Sequence, residues 1–391
     1  MGKNEIILIE RKKLVMIDIN NFYKSLKDNQ IEFFTGVPDS LLKSFCAYVK
    51  DNADSDKNII AANEGNAVGI ASGYYLSSHK IGLVYMQNSG LGNAINPLAS
   101  LDDKLVYNIP LLLLIGWRGE PGKKDEPQHK KQGMITLETL DLLNIRYTVI
   151  DEYTSNEEAD DIIKKACKYM MHTKEPYAIV VKKNTFGEYK LKNSLHTDFE
   201  MSREEAIEVI LDSMNEDSVI VSTTGMASRE LFELREKKNQ SHNRDFLTVG
   251  SMGHASQIAL GIALTDKKKE VYCFDGDGAM IMHLGGLAII GDNHPQNLKH
   301  ILFNNGAHDS VGGQDTVGLS INLTAIAEAC GYKKVYSCSN LKDLMENCQK
   351  IKEDKGPVLL EVKVKKGARK NLGRPTKTPI ENKDAFMEIF N

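Results

Sequence analysis

Short apolar runs recur along the chain, and most are continuous rather than alternating. "IEFFTG", "NIIAAN", "IGLVYM", "LVYNIPLLLLIG", "YTVI" and "YAIVVKK" mark the first half; "SVIVSTT", "FLTVG", "EVYCFDG", "LKHILFNNG", "KKVYS" and "PVLLEVKV" mark the second. Runs of this kind suit strands buried on both faces, as in a parallel sheet. Between them, stretches such as 202–214 and 323–331 carry helical periodicity. The alternation predicts an α/β fold of parallel sheets, with ligand sites at the carboxyl ends of the strands.

The two halves resemble each other. Writing "GNAVGIASGYYL" (65–76) over "GHASQIALGIAL" (253–264) brings Gly65, Ile70, Ala71, Gly73 and Leu76 onto Gly253, Ile258, Ala259, Gly261 and Leu264. "VYMQNSGLGNA" (84–94) then falls on "VYCFDGDGAMI" (271–281), and "FFTGVPDSLL" (33–42) falls near "STTGMASREL" (222–231). Blocks in one order argue for internal duplication. The expectation is two similar parallel-sheet domains, 1–185 and 203–391, joined by a polar linker over 186–202. Gly65, Gly69 and Gly73 form a stripe on one helix, and each glycine costs that helix about 1 kcal/mol against alanine. Close packing on the sheet or at an interface would offset the cost equally well.

Composition narrows the classes. Of 391 residues, 41% are hydrophobic and 26% charged, and the net charge of −4 offers no basic face for nucleic acid. The first 30 residues lack the apolar core and cleavage site of a signal peptide. No run approaches a membrane span. Six scattered cysteines without CxxC spacing read as free thiols of a cytoplasmic protein.

Candidate chemistry gathers where the second half's strands end. "GDGAM" (276–280) follows one apolar run and "FNNGAHDS" (303–310) the next, so Asp277 and Asn305 would reach one sheet edge. A carboxylate, an amide oxygen and a backbone carbonyl are hard ligands for Mg²⁺ or Ca²⁺, with a diphosphate completing the shell. Gly276 and Gly278 let backbone approach phosphate, and the helix that starts there, through Ala279, favours anions. Asp275 is left to close the strand or hold the turn.

GDG followed some two dozen residues later by NN resembles the signature of the thiamine diphosphate-dependent decarboxylase superfamily, whose pyrimidine-binding and diphosphate-binding domains share one fold. The resemblance implies thiamine diphosphate and Mg²⁺ as cofactors, held by Asp277, Asn305 and the carbonyl of Ala307. It makes Glu64 in "AANEGNAVG" the acid that addresses the aminopyrimidine ring, although alone Glu64 reads as a first-turn acid. In "VGSMGHAS" (249–256), Met252 matches the apolar wedge under the cofactor, and the Gly250 carbonyl accepts from its amino group. "TTGMAS" (223–228), with Gly225, resembles the stretch that helps hold the diphosphate. The resemblance also implies self-association, with the active site between subunits.

"GVPDSLL" (36–42), "GWRGEPGKKDEPQHKKQG" (116–133), "NNGAHDSVGGQDTVG" (304–318) and "GARKNLGRPTKTPIENKDAFM" (367–387) narrow the likeness to the branch that decarboxylates phosphonopyruvate in phosphonate biosynthesis, with sulfopyruvate or another 2-keto acid as the alternative. Such a substrate carries two anionic groups. Arg118, Lys123, Lys124, Arg369 and Arg374 lie in loops able to meet them. Ser40, Arg118 and His129 are the expected substrate contacts, and Asp39 and His308 join Glu64 as the expected catalytic residues.

Overall fold

A computed structural model describes residues 14–390. They divide into two compact units: one runs to Asp125 and resumes over His129–Leu191, and the other takes Glu126–Gln128 and continues from Lys192. Each is built on a six-stranded sheet in which every strand pair is parallel.

In the first unit the strands are β1 (Phe34–Gly36), β2 (Asn58–Ile60), β3 (Leu83–Gln87), β4 (Leu112–Gly116), β5 (Arg146–Ile150) and β6 (Tyr177–Val181). The second has β7 (Val219–Ser222), β8 (Asp245–Leu247), β9 (Val271–Gly276), β10 (Leu298–Asn304), β11 (Lys334–Cys338) and β12 (Val358–Lys363). The orders β2-β1-β3-β4-β6-β5 and β8-β7-β9-β10-β12-β11 are the same topology, offset by six strands. The internal repeat is therefore a repeat of fold.

The apolar runs are continuous because helices cover both faces of each sheet. Along β4, Leu112 and Leu114 join Phe22, Phe34, Phe45 and Ile163 on one side, while Leu113 and Ile115 join Ala67, Val68 and Ala71 on the other. In the second unit Tyr272 and Phe274 face one core, and Val271 and Cys273 face its counterpart.

One expected strand is shorter than its apolar run. In "LVYNIPLLLLIG" Leu105, Val106 and Tyr107 are exposed, and β4 begins only at Leu112. The Asp103 side chain and carbonyl hold the N–H groups of Leu105 and Val106 in a turn, and Asn108 has a φ of 52°, which ends extended structure. At the other end of the unit, Phe186 is buried in its core and Tyr189 packs against Tyr48. The first unit thus keeps the opening residues of the stretch expected to be linker. No helix among the described residues is long and apolar enough to cross a membrane.

Candidate active site

In the second unit β9 and β10 are neighbours, with Gly276 paired to Phe303, so Asp277 and Asn305 leave the sheet side by side. Asp277 is the first residue of a helix, Asp277–Met282, and its side chain is buried. It accepts from the Thr316 hydroxyl. Burial pushes its carboxyl up to about 6, against the pull of that hydroxyl and of the Gly278 and Asn305 N–H groups. No lysine or arginine among the described residues pairs with it.

The chain beyond Asn305 turns back over this edge. Ala307 bridges Asp315 through two bonds, His308 N–H to the Gln314 carbonyl and Thr316 N–H to the Gly306 carbonyl. The Ala307 carbonyl is not used by that bridge. Asn304 donates to the Gly318 carbonyl at 2.8 Å and to Glu361 at 2.7 Å, which fastens the returning segment. A Cβ on Gly278 would lie 3.0 Å from the His308 ring and 3.5 Å from Met252 Cε, so turn, imidazole and Met252 side chain meet at one point. Burial lowers the His308 imidazole to about 4, which leaves it neutral at neutral pH and a hydrogen-bond partner rather than a charged acid.

The loops carrying Gly225 and Gly250 are tied together, because the Thr224 hydroxyl donates to the Val249 carbonyl at 2.9 Å. Gly225 has a φ of 97° and Ser251, just before Met252, a φ of 56°, a rare conformation for a non-glycine residue. Below the GDG turn, Asp275 Oδ1 accepts the Gly276 N–H at 2.9 Å, and Oδ2 lies 3.4 Å from His300 Nε2. His300 Nδ1 meets the Tyr332 hydroxyl at 3.0 Å. Asp275 holds the turn that presents Asp277.

In the first unit Glu64 opens the helix Glu64–Ser78, which is capped by Asn63. Its carboxyl is buried, and Oε2 accepts from Asn93 Nδ2 at 2.8 Å. Burial raises its pKa and the Asn93 amide opposes the rise. Gly90 lies directly against it: a Cβ there would sit 2.3 Å from Glu64 Oε1.

A second group stands where β1, β3 and β4 end. Arg118 grips Asp125 through Nε and Nη2 at 2.9 and 2.5 Å, and Nη1 donates to Ser40 Oγ at 2.9 Å. His129 Nδ1 is 2.9 Å from the same carboxylate. Burial works against the Asp125 anion, but Arg118, His129 and the Gly119 N–H hold its pKa well below the usual carboxylate range. Asp39 is wholly buried; it accepts from Gln87 at 2.7 Å and from the N–H groups of Leu41 and Leu42 at 2.8 and 3.3 Å. Asp39, expected among the catalytic residues, thus also holds the loop that carries Ser40.

Comparison with known proteins identifies the family. Residues 20–140 match the model of the thiamine pyrophosphate enzyme N-terminal binding domain, and 221–362 match that of the C-terminal binding domain. A phosphonopyruvate decarboxylase of Streptomyces viridochromogenes is 34% identical, with 88% of each chain covered. One from Streptomyces hygroscopicus is 31% identical over 96% of this chain and 94% of its own. A sulfopyruvate decarboxylase of Methanosarcina acetivorans is 28% identical over 94% and 96%. The chain belongs to the thiamine pyrophosphate enzyme family. Within that family it is a decarboxylase, a carboxy-lyase.

The donor set of this decarboxylase fits a divalent cation. Asp277 is a buried carboxylate with no cationic side chain among the described residues to balance it, beside an asparagine and a carbonyl outside the loop's own bridge. The cationic side chains are less available than the sequence implies. Arg118 is paired with Asp125, Arg369 with Glu204 and Glu233, and Arg374 with Glu126, while Lys123 and Lys124 are exposed. Sequence reasoning missed Asn93, Gly90, Thr316 and Asp309, although Gly90 and Asn93 lie inside a repeat block. It also missed Gln314, 1% exposed, whose amide has no hydrogen-bond partner among the described residues.

Proposed function

We propose that the enzyme converts 3-phosphonopyruvate to phosphonoacetaldehyde and CO₂ with thiamine diphosphate and Mg²⁺, in phosphonate biosynthesis in the cytoplasm. The observation that carries this reading is the full-length likeness to two phosphonopyruvate decarboxylases at 31–34% identity. Sulfopyruvate is the second reading, supported by a relative that spans nearly the whole chain at 28%.

When bound, thiamine diphosphate supplies the electron sink that takes up the pair left by departing CO₂. The chain's own residues do the rest. Asp277, Asn305 and the Ala307 carbonyl would hold the cation. Backbone at Gly225, Gly276, Gly278 and Ala279 would meet the diphosphate, with Met252 and the Gly250 carbonyl at the rings. Glu64, desolvated and steered by Asn93, would hold a proton at a cofactor ring nitrogen, and its burial favours the protonated form. Arg118 spends three of its five N–H groups on Asp125 and Ser40, so two remain for a substrate anion beside Ser40 and His129. His308 would donate a hydrogen bond to the reacting group.

The proposal includes self-association, with Glu64 of one chain serving the diphosphate-binding unit of another. Support comes from the glycine stripe: a Cβ at Gly69 or Gly73 would meet nothing within 4 Å, and so would one at Gly261, the repeat counterpart of Gly73. Leu76 and its counterpart Leu264 are exposed beside them. Helices that carry the cost of glycine on an open face are suited to close contact with a second copy.

The test is kcat/KM for phosphonopyruvate and sulfopyruvate, read by trapping the aldehyde product with cofactor and Mg²⁺ present. A higher value for sulfopyruvate overturns the substrate assignment. Glu64→Gln should lower turnover by about 10²–10⁴-fold while thiamine diphosphate still binds.

A further inference from the structure

An asparagine serves a hard cation only when its amide oxygen, not its nitrogen, faces the ion. The two ends of the amide are almost the same size, so something around Asn305 must choose between them. Its Nδ2 donates to Asp309 Oδ2 at 2.5 Å. The same oxygen accepts the Gly367 N–H at 2.8 Å, and Arg203 Nη1 is 3.9 Å away. Arg203 is itself fixed by Glu230 through bonds of 2.6 and 3.0 Å, both residues being buried. Beside Gly367, Lys366 pairs with Asp315 at 2.9 Å on the same returning loop. Asp309 is thus held by Gly367 and faced by Arg203 besides its bond from Asn305.

We infer that Asp309 is a positioning residue of the cation site: its carboxylate takes the Asn305 nitrogen and so presents Asn305 Oδ1 to the metal. Oδ1 already accepts the Ala307 N–H at 3.0 Å, and its second lone pair is free to coordinate. The bond from Ala307 also links the amide oxygen to the residue whose carbonyl is the third ligand. Outer partners of this kind orient ligands, and their loss weakens metal binding by about 10–100-fold. The inference rests on the reading of Asn305 as a metal ligand.

Orientation and plain charge make opposite demands. Asp309→Asn removes the charge but keeps an acceptor in place; Asp309→Glu keeps the charge and moves it by one methylene. The experiment measures the Mn²⁺ dissociation constant by the electron paramagnetic resonance of free Mn²⁺, on full-length protein with saturating thiamine diphosphate. Positioning requires Asp309→Asn to bind Mn²⁺ nearly as well as the natural chain and Asp309→Glu to bind it about 10–100-fold more weakly. At saturating Mn²⁺ both variants should recover kcat, because a positioning residue acts through metal affinity. The reverse ranking, equal weakening of both, or no weakening of either overturns the inference. If the natural chain itself binds no Mn²⁺ with the cofactor present, the cation reading fails and the inference falls with it.

Discussion

Gly90→Ala isolates the placement of Glu64 from its chemistry. Gly90 has φ −74° and ψ −14°, a helical conformation that alanine adopts without strain. The added Cβ would stand 2.3 Å from Oε1 of Glu64 and 2.4 Å from its Cγ and Cδ. Ordinary carbon contacts need about 3.5 Å, so the carboxyl must retreat by about 1 Å. Retreat breaks the 2.8 Å bond from Asn93. The fold should tolerate this, because the clash is with the far end of a flexible side chain; the lost hydrogen bond is worth about 1 kcal/mol. Catalysis should not, since a misplacement of about 1 Å can cost about 10²-fold in rate. The assay is kcat at saturating substrate, with cofactor affinity by calorimetry expected to stay near that of the natural chain. A double-mutant cycle with Glu64→Ala supplies the decisive comparison. Once the carboxyl is gone, the alanine at position 90 has nothing to displace, and its penalty should largely vanish. Unchanged turnover in Gly90→Ala would refute the reasoning, as would a penalty that persists at full size without Glu64.

Asp277→Asn should weaken Mg²⁺-dependent thiamine diphosphate binding by more than the roughly 100-fold ceiling typical of an outer-sphere change. The cofactor-free variant should melt higher than the natural chain at neutral pH, because a buried unbalanced carboxylate has been removed; calorimetry and thermal melts check the two halves. Asp102 offers a pH prediction. Its side chain is fully buried, bonded to Ser72 at 2.8 Å through Oδ1, and burial pushes its pKa up to about 7. A carboxyl raised above its unfolded value of about 3.9 binds its proton better in the folded state. Its contribution is therefore full below pH ~4 and lost as pH rises through about 7. Urea unfolding from pH 5 to 8 should show a shallower decline in Asp102→Asn than in the natural chain; equal slopes would exclude Asp102 as the source.

The parallel α/β fold and its duplication were open to a reading of the chain because they are written in local patterns. Continuous apolar runs report two-sided burial wherever they occur, and repeat blocks keep their order whatever the surrounding packing. Spacing also brought Asp277 and Asn305 to one sheet edge, since adjacent parallel strands end side by side. Local pattern failed where it met a turn, as at Leu105–Tyr107, whose apolar side chains lie exposed because Asp103 folds the backbone ahead of them.

What a side chain is paired with was decided only by tertiary structure. In the sequence Arg118, Arg369 and Arg374 are cations in glycine-rich loops; in the fold each faces a carboxylate that offsets its charge. Asp39 reads only as an acid beside Ser40; packing is what buries it and sets its oxygens against Gln87, Leu41 and Leu42. Asn93 behind Glu64, Thr316 on Asp277 and Asp309 behind Asn305 lie inside repeat or motif stretches, but nothing local states what each one pairs with. Periodicity and turn chemistry act over a few residues, so the chain states them directly. The strength of a charge pair or hydrogen bond depends on a few tenths of an ångström between groups often far apart in sequence, and only the folded backbone sets that distance.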